Sequence, residues 1–156
     1  MGMEPKAGAA APDFSIAGDD GATISLKSLK GKKAVLYFYP KDDTSGCTRE
    51  AIDFSGLKAQ FAAAGTEVIG ISADSVESHR KFRNKHKLSV RLGADPEKAM
   101  LETYGVWAEK SMYGRKYMGI ERTTVLIDAK GKIARVWPKV KVPGHAEEVL
   151  AAAQAI

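Results

Sequence analysis

Apolar and polar positions alternate with two different periods along the chain. Phe14-Ser15-Ile16 and Thr23-Ile24-Ser25-Leu26 alternate every second residue, with Gly18-Asp19-Asp20-Gly21 between them. That pattern predicts an N-terminal β-hairpin. Ala34-Val35-Leu36-Tyr37-Phe38-Tyr39 is instead an unbroken apolar run stopped by Pro40. Such a run predicts a central strand buried on both faces. The period then changes. Phe54, Leu57, Phe61 and Ala64 recur at helical spacing up to Gly65, forming one stripe of an amphipathic helix. Residues 67–72 predict the next buried strand, and Asp74 or Ser75 can cap a basic helix ending near Lys87.

Asp95-Pro96-Glu97 carries a cap, a proline for the first helical position and an acid in the first turn. It predicts a helix running to about Tyr104 and closed by Gly105. Residues 123–127, the turn Asp128-Ala129-Lys130-Gly131 and residues 132–137 predict an antiparallel strand pair. Gly144-His145-Ala146-Glu147-Glu148 opens a C-terminal helix expected to reach Ile156. Residues 1–11 read as a loose tail. The order is hairpin, strand, helix, strand, helix, helix, hairpin, helix. It predicts an α/β fold with a mixed central sheet, helices on both faces and an N-terminal β-hairpin extension. No repeat or linker interrupts it, so 1–156 is expected to form a single domain.

Composition narrows the function classes. Hydrophobic residues make up 44% of the 156, enough for a core without staples. No apolar run approaches the roughly 18 to 20 residues of a membrane span. The expectation is a soluble, cytoplasmic protein with no membrane partner. The net charge of +5 is local. His79-Arg80-Lys81-Phe82-Arg83-Asn84-Lys85-His86-Lys87 holds five Lys/Arg and no acid, and without it basic and acidic residues balance at 19 each. Only Phe82 interrupts the charges, so aromatic interleaving for base stacking is lacking. A solvated helix face is the expectation, and no nucleic-acid partner. One cysteine and three histidines offer no metal-ligand cluster, so neither metal nor cofactor is expected.

Chemistry points to Cys47, the only cysteine. It lies where the apolar strand ends and the amphipathic helix begins. Strand carboxyl ends are where open α/β sheets bind ligands. With Thr44 or Ser45 as the cap, Cys47 falls in the first helical turn. Free N–H groups and the helix dipole there favour the thiolate, the reactive form of cysteine. Cys47 also lies seven residues before Phe54, on the inward stripe at the floor of a pocket. Position alone leaves two readings open, a buried structural cysteine and a nucleophile.

A resemblance goes further. Tyr37-Phe38-Tyr39-Pro40-Lys41-Asp42, followed by Thr44-x-Gly46-Cys47-Thr48-x-Glu50-Ala51, resembles the active-site segment of peroxiredoxins, in particular the bacterioferritin-comigratory or Q-type branch. The resemblance continues through Gly105-Val106-Trp107, Lys110, Met112-Tyr113-Gly114-Arg115, Gly119-Ile120-x-Arg122-Thr123-Thr124, Gly131-Lys132-Ile133 and Val142-x-Gly144-His145. It implies a thioredoxin-like fold, which satisfies the element order, and a peroxidase that reduces hydroperoxides without a cofactor. It implies Cys47 as the peroxidatic cysteine and Thr44 as the hydroxyl that bonds sulfur and peroxide. It also implies Pro40 as the shield of the sulfur and Arg122 as the guanidinium packed against it. It leans toward a monomer or weak homodimer.

Two positions depart from the family pattern. Ser45 stands where this branch usually has proline. Ile52 and Arg83 stand where family members carry a second, resolving cysteine. With one cysteine no disulfide can close within the chain. The oxidised sulfur must be reduced by an external thiol (thioredoxin, glutaredoxin or glutathione) or pair with Cys47 of a second chain. An alternative is a redox relay that signals through Cys47 oxidation. The basic segment could steer an acidic reductant.

Overall fold

A computed structural model describes residues 6–156. The apolar run forms β3 (Lys33–Phe38), which is parallel to β4 (Thr66–Ser72) on one side and antiparallel to β8 (Thr123–Ile127) on the other. Its side chains divide by parity. Ala34, Leu36 and Phe38 enter one core, while Val35, Tyr37 and the following Tyr39 enter a second. The strand is therefore buried on both faces, as its unbroken apolar run predicts.

The hairpin of β1 (Ser15–Gly18) and β2 (Thr23–Ser25) forms as expected and pairs onward with β5 (Arg91–Ala94). β9 (Ile133–Trp137) pairs with β8. The sheet runs β2-β1-β5-β4-β3-β8-β9, parallel at β3–β4–β5 and antiparallel elsewhere. Helices α1 (Ser45–Gly56), α2 (Lys58–Ala63), α3 (Val76–His86) and α5 (His145–Gln154) bury Phe54, Phe61, Phe82 and Val149 in one core. The short α4 (Ala99–Thr103) buries Met100 and Leu101 in the other. Helices thus cover both faces. No helix among the described residues is long and apolar enough to cross a membrane.

The structure corrects several expectations. The stripe expected as one helix is two, broken at Leu57 directly after Gly56, a poor helix former. Phe54 and Phe61 are nonetheless both fully buried. α4 starts four residues beyond Asp95, because Asp95-Pro96-Glu97-Lys98 forms a turn; the Asp95 carboxylate still caps, accepting from Leu101 N–H at 2.9 Å. β5 has four residues and one glycine, too few for a period to show. Residues 107–120 form an unforeseen hairpin of β6 (Trp107–Met112) and β7 (Arg115–Ile120), a two-stranded sheet of its own. The expected tail is only partly within the described residues. Residues 8–11 are tied to Gly131 and Ile133 by three backbone hydrogen bonds of 2.8–2.9 Å, and Ala11 is buried. The loose-tail expectation fails there, because this stretch lies along the start of β9.

Candidate active site

Cys47 sits on the first turn of α1, facing the core with 1% exposure. β3 delivers the chain to residues 40–44, and α1 begins directly after them. Thr44 occupies the cap position, but its side chain caps nothing: the hydroxyl donates to Lys41 O at 2.9 Å. The first intrahelical bond runs from Thr48 N–H to Thr44 O at 2.8 Å. The N–H groups of Ser45, Gly46 and Cys47 precede it and have no intrahelical acceptor. Donors therefore gather at the start of α1, around the sulfur.

Arg122, immediately before β8, reaches the same point. Its Nη2 donates to Cys47 Sγ at 3.3 Å and its Nη1 to Glu50 Oε1 at 2.6 Å. Gly46 makes room, since a Cβ there would lie 3.2 Å from Nη2. Burial tends to discharge Arg122, but Glu50 and Cys47 outweigh it and hold the guanidinium above its ordinary value. Glu50 is 1% exposed, and its second oxygen, Oε2, is buried with no partner. Burial raises its carboxyl to about 7, against the pull of Arg122. A proton belongs on Oε2, because Oε1 is already an acceptor. The guanidinium thus lies between a sulfur and a carboxyl that titrates near neutrality.

The loop before α1 is clamped from the side. Buried Asp42 accepts from the Tyr39 hydroxyl at 2.6 Å and the Ser78 hydroxyl at 2.8 Å, and its Oδ2 lies 2.7 Å from His79 Nδ1. His79 Nε2 donates to Gly93 O at 2.9 Å. Asp42 N–H donates to Asp74 Oδ2 at 2.8 Å. Asp43 meets Lys85 at 2.7 Å and His86 at 2.8 Å, and these bonds, that of His86 first, hold its carboxyl below the usual range. Asp42, Asp74 and His79 place ligand atoms within 4.8 Å of one another, the described group best suited to hold a metal. Each is already engaged in this clasp.

The clasp revises the reading of the basic segment as a solvated face. His79 is fully buried. Arg83 pairs with Asp19 and donates to the carbonyls of Leu88 and Val90, closing the end of α3. Lys85 and His86 hold the active-site loop.

Of the residues singled out from sequence, Cys47 and Arg122 are in contact. Thr44 is at the helix start with its hydroxyl bonded to Lys41 O. Pro40, half-buried, lies two residues beyond the end of β3. Glu50, Asp42 and His79 were missed as site residues. Only Glu50 carried a signal in the spacing: it is three residues after Cys47 and four before Phe54, a carboxyl on a buried stripe that needs a partner. Behind the site His145, at the start of α5, meets the Thr124 hydroxyl at 2.7 Å, and burial lowers its imidazole to about 4.

Comparison with known proteins places this geometry. The family model described as AhpC/TSA matches residues 7–136. The chain is similar to the putative peroxiredoxin bcp of Coxiella burnetii, 51% identical over 95% of this chain and 98% of that one. It is 47% identical to peroxiredoxin Bcp of Bacillus subtilis, over 95% of this chain and 94% of the relative. A structure of the Xanthomonas campestris bacterioferritin comigratory protein, described for its alkyl peroxide reduction activity, superposes with a TM-score of 0.89 at 40% identity, covering 96% of this chain and 98% of that one. The likeness bears out the thioredoxin-like architecture that the family resemblance implies and the element order satisfies.

Proposed function

The chain belongs to the AhpC/TSA family, among its Bcp-type peroxiredoxins, and from that premise we propose that it reduces hydroperoxides through Cys47 by a one-cysteine route. The observation that carries the reading is the Arg122 guanidinium donating to the Cys47 sulfur at the uncapped start of α1. The thiolate attacks the terminal oxygen of ROOH. The S–O bond forms as the O–O bond breaks, giving a sulfenic acid on Cys47 and an alkoxide that takes a proton to become ROH. Charge moves to the departing oxygen, and donors fixed in advance stabilise it there. Arg122 and the free N–H groups of α1 are those donors. The Thr44 hydroxyl joins them by rotating away from Lys41 O. Pro40 limits water at the sulfur.

Regeneration requires a thiol from outside the chain, because Cys47 is the only cysteine. One thiol displaces water from the sulfenic acid to form a mixed disulfide. A second thiol attacks that disulfide, releasing an oxidised dithiol product and Cys47. Thioredoxin, glutaredoxin and glutathione all supply such thiols. A reducing compartment provides them, which supports a cytoplasmic site of action. The large apolar side chains left exposed among the described residues are few: Ile52, Met112, Tyr113, Tyr117, Met118 and Ile156. They fall short of the extensive apolar face an obligate dimer buries, which supports a monomer or weak homodimer.

The test is peroxide consumption by wild type and Cys47→Ser with each reductant in turn. Wild type turns over many times with at least one of them, and Cys47→Ser with none. Full activity in Cys47→Ser would overturn the proposal. Stoppage of the wild type after one equivalent with every reductant would favour the relay.

A further inference from the structure

Much of the charge on α3 is engaged within the molecule, so the net +5 of the chain has its place elsewhere. Three segments meet at the end of the sheet remote from Cys47. Residues 26–32 lead into β3, residues 128–132 turn from β8 to β9, and residues 6–11 run beside the start of β9. Backbone hydrogen bonds hold them together. Gly31 N–H donates to Ala129 O at 3.2 Å, Gly8 N–H to Ile133 O at 2.8 Å and Ala11 N–H to Gly131 O at 2.9 Å. The three segments carry Lys6, Lys27, Lys30, Lys32, Lys130 and Lys132, all exposed.

This charge is not compensated. Among the described residues the lysine ion pairs belong to Lys81, Lys85 and Lys116, so none of the six has a carboxylate. Asp128 is the one acid in the three segments, and its Oδ1 accepts from the backbone N–H groups of Lys130 and Lys132 at 2.9 and 3.0 Å. Six of the 24 basic residues and one of the 19 acidic ones therefore lie here, and the rest of the chain balances at 18 each. The whole net charge belongs to one pole, whose self-repulsion a polyanion relieves. The register keeps that pole away from the sulfur. Ala34 pairs with Ile127 at the pole end of β3, and Phe38 pairs with Thr123, next to Arg122, at the other. The six residues of β3 span roughly 17 Å at about 3.3 Å each. A molecule seated across the pole does not meet Cys47, so its occupant is not the thiol reductant.

We propose that this pole docks on duplex DNA, gripping phosphates without regard to sequence and leaving the Cys47 end turned outward. The charge chemistry favours that occupant. All six cations are lysines, compact charges on flexible stems that suit phosphates met in no fixed geometry. In sheet order the segments form a row through β3, β8, β9 and residues 6–11. Three strand spacings of about 4.8 Å make that row roughly 14 Å long. Such a length matches about four phosphates of one DNA strand at a rise of about 3.4 Å. Phosphate contacts need no base stacking, so the lack of aromatic interleaving in α3 does not bear on them. None of the three segments exposes a large apolar side chain of the kind that enters a bilayer interface. The proposal holds whether or not Cys47 turns over peroxide.

The experiment titrates labelled DNA duplexes of two unrelated sequences with full-length protein across a salt series, read by fluorescence anisotropy. The pole variant is Lys27→Gln/Lys30→Gln/Lys32→Gln. A control with the same change of charge, Lys81→Gln/Lys116→Gln/Lys141→Gln, separates the pole from net charge alone. Wild type is expected to bind both sequences alike, with log K falling against log salt at a slope of about −4 to −5. The pole variant should flatten that slope by about 2 to 3 and weaken binding at the lowest salt about tenfold or more, while the control weakens it less than about threefold. Oxidation of Cys47 by hydrogen peroxide should run at the same rate in bound and free protein. No binding at the lowest salt, or an equal loss in pole variant and control, would overturn the proposal. So would preference for polyglutamate, or for vesicles of equal parts phosphatidylglycerol and phosphatidylcholine, over the duplex. Slower oxidation of Cys47 in the bound protein would put the contact at the other end of the sheet and overturn it as well.

Discussion

Two polar regions of the molecule, the loop before α1 and the β6–β7 hairpin, are built in opposite ways. In the loop of residues 40–44, polar groups close on themselves: Asp42 meets Tyr39, Ser78 and His79, and Asp43 meets Lys85 and His86. The β6–β7 hairpin lies open to solvent: Glu109 and Lys116 meet at 3.7 Å on an exposed face, and Tyr113 is 97% exposed. The loop positions the start of α1, where a displacement of an ångström would be costly to the reaction. Most side chains of the hairpin are exposed, so substitutions there are expected to cost little. A closed network marks the part that holds geometry.

Asp42→Ala tests the closed side most severely. It would leave the Tyr39 and Ser78 hydroxyls and a buried imidazole without their acceptor. The expected loss is about 3–5 kcal/mol, read from the denaturant midpoint. A loss below 1 kcal/mol would mean that the clasp does not hold the loop. Arg122→Met comes next. Removal of one preformed donor is expected to lower kcat/KM for hydrogen peroxide by about a hundredfold or more.

Glu50→Gln probes the buried carboxyl paired with Arg122, whose Oε2, like the Tyr37 hydroxyl, is buried without a partner. The Glu50 carboxyl is raised from 4.5 to about 7, so the folded state holds a proton that the unfolded state releases. Its contribution to stability is therefore complete below pH 4.5 and is lost as pH rises toward 7. The wild type should lose on the order of 3 kcal/mol relative to Glu50→Gln across that window. The inflection near pH 7 in the wild-type rate profile should be missing from the variant. His145, lowered to about 4 by burial, works in the opposite sense: its contribution is present above 6.5 and is lost as pH falls through 4. The paired comparison with Glu50→Gln removes that background. The smallest effect is expected at the open side. Tyr113→Ser should change stability by less than about 0.5 kcal/mol, and a larger loss would show that the hairpin packs against something it must hold.

Much of this was legible in the chain. The run at 34–39 announced a strand buried on both faces, because parity and an unbroken apolar sequence admit little else. Cys47 could be placed on the first turn of α1 from the strand end and the stripe through Phe54. Its contact with Arg122 could not, because 75 residues and a sheet crossing separate them. The family resemblance, not spacing, pointed to that arginine. The clasp was hidden for the same reason. Asp42 and His79 meet only because α3 lies beside the loop, so a basic segment that reads as a solvated face spends much of its charge on the molecule itself. The β6–β7 hairpin escaped because its strands bury so little that neither period appears.

The central claim is that Cys47 alone begins the reaction and cannot finish it. The most direct measurement adds hydrogen peroxide to thiol-free protein and counts peroxide consumed per chain, with a sulfenic-acid-specific reagent and mass spectrometry locating the product. The account predicts one equivalent consumed, one adduct on Cys47, and renewed consumption when thiol is added. Continued consumption without thiol, or consumption by Cys47→Ser, would contradict it.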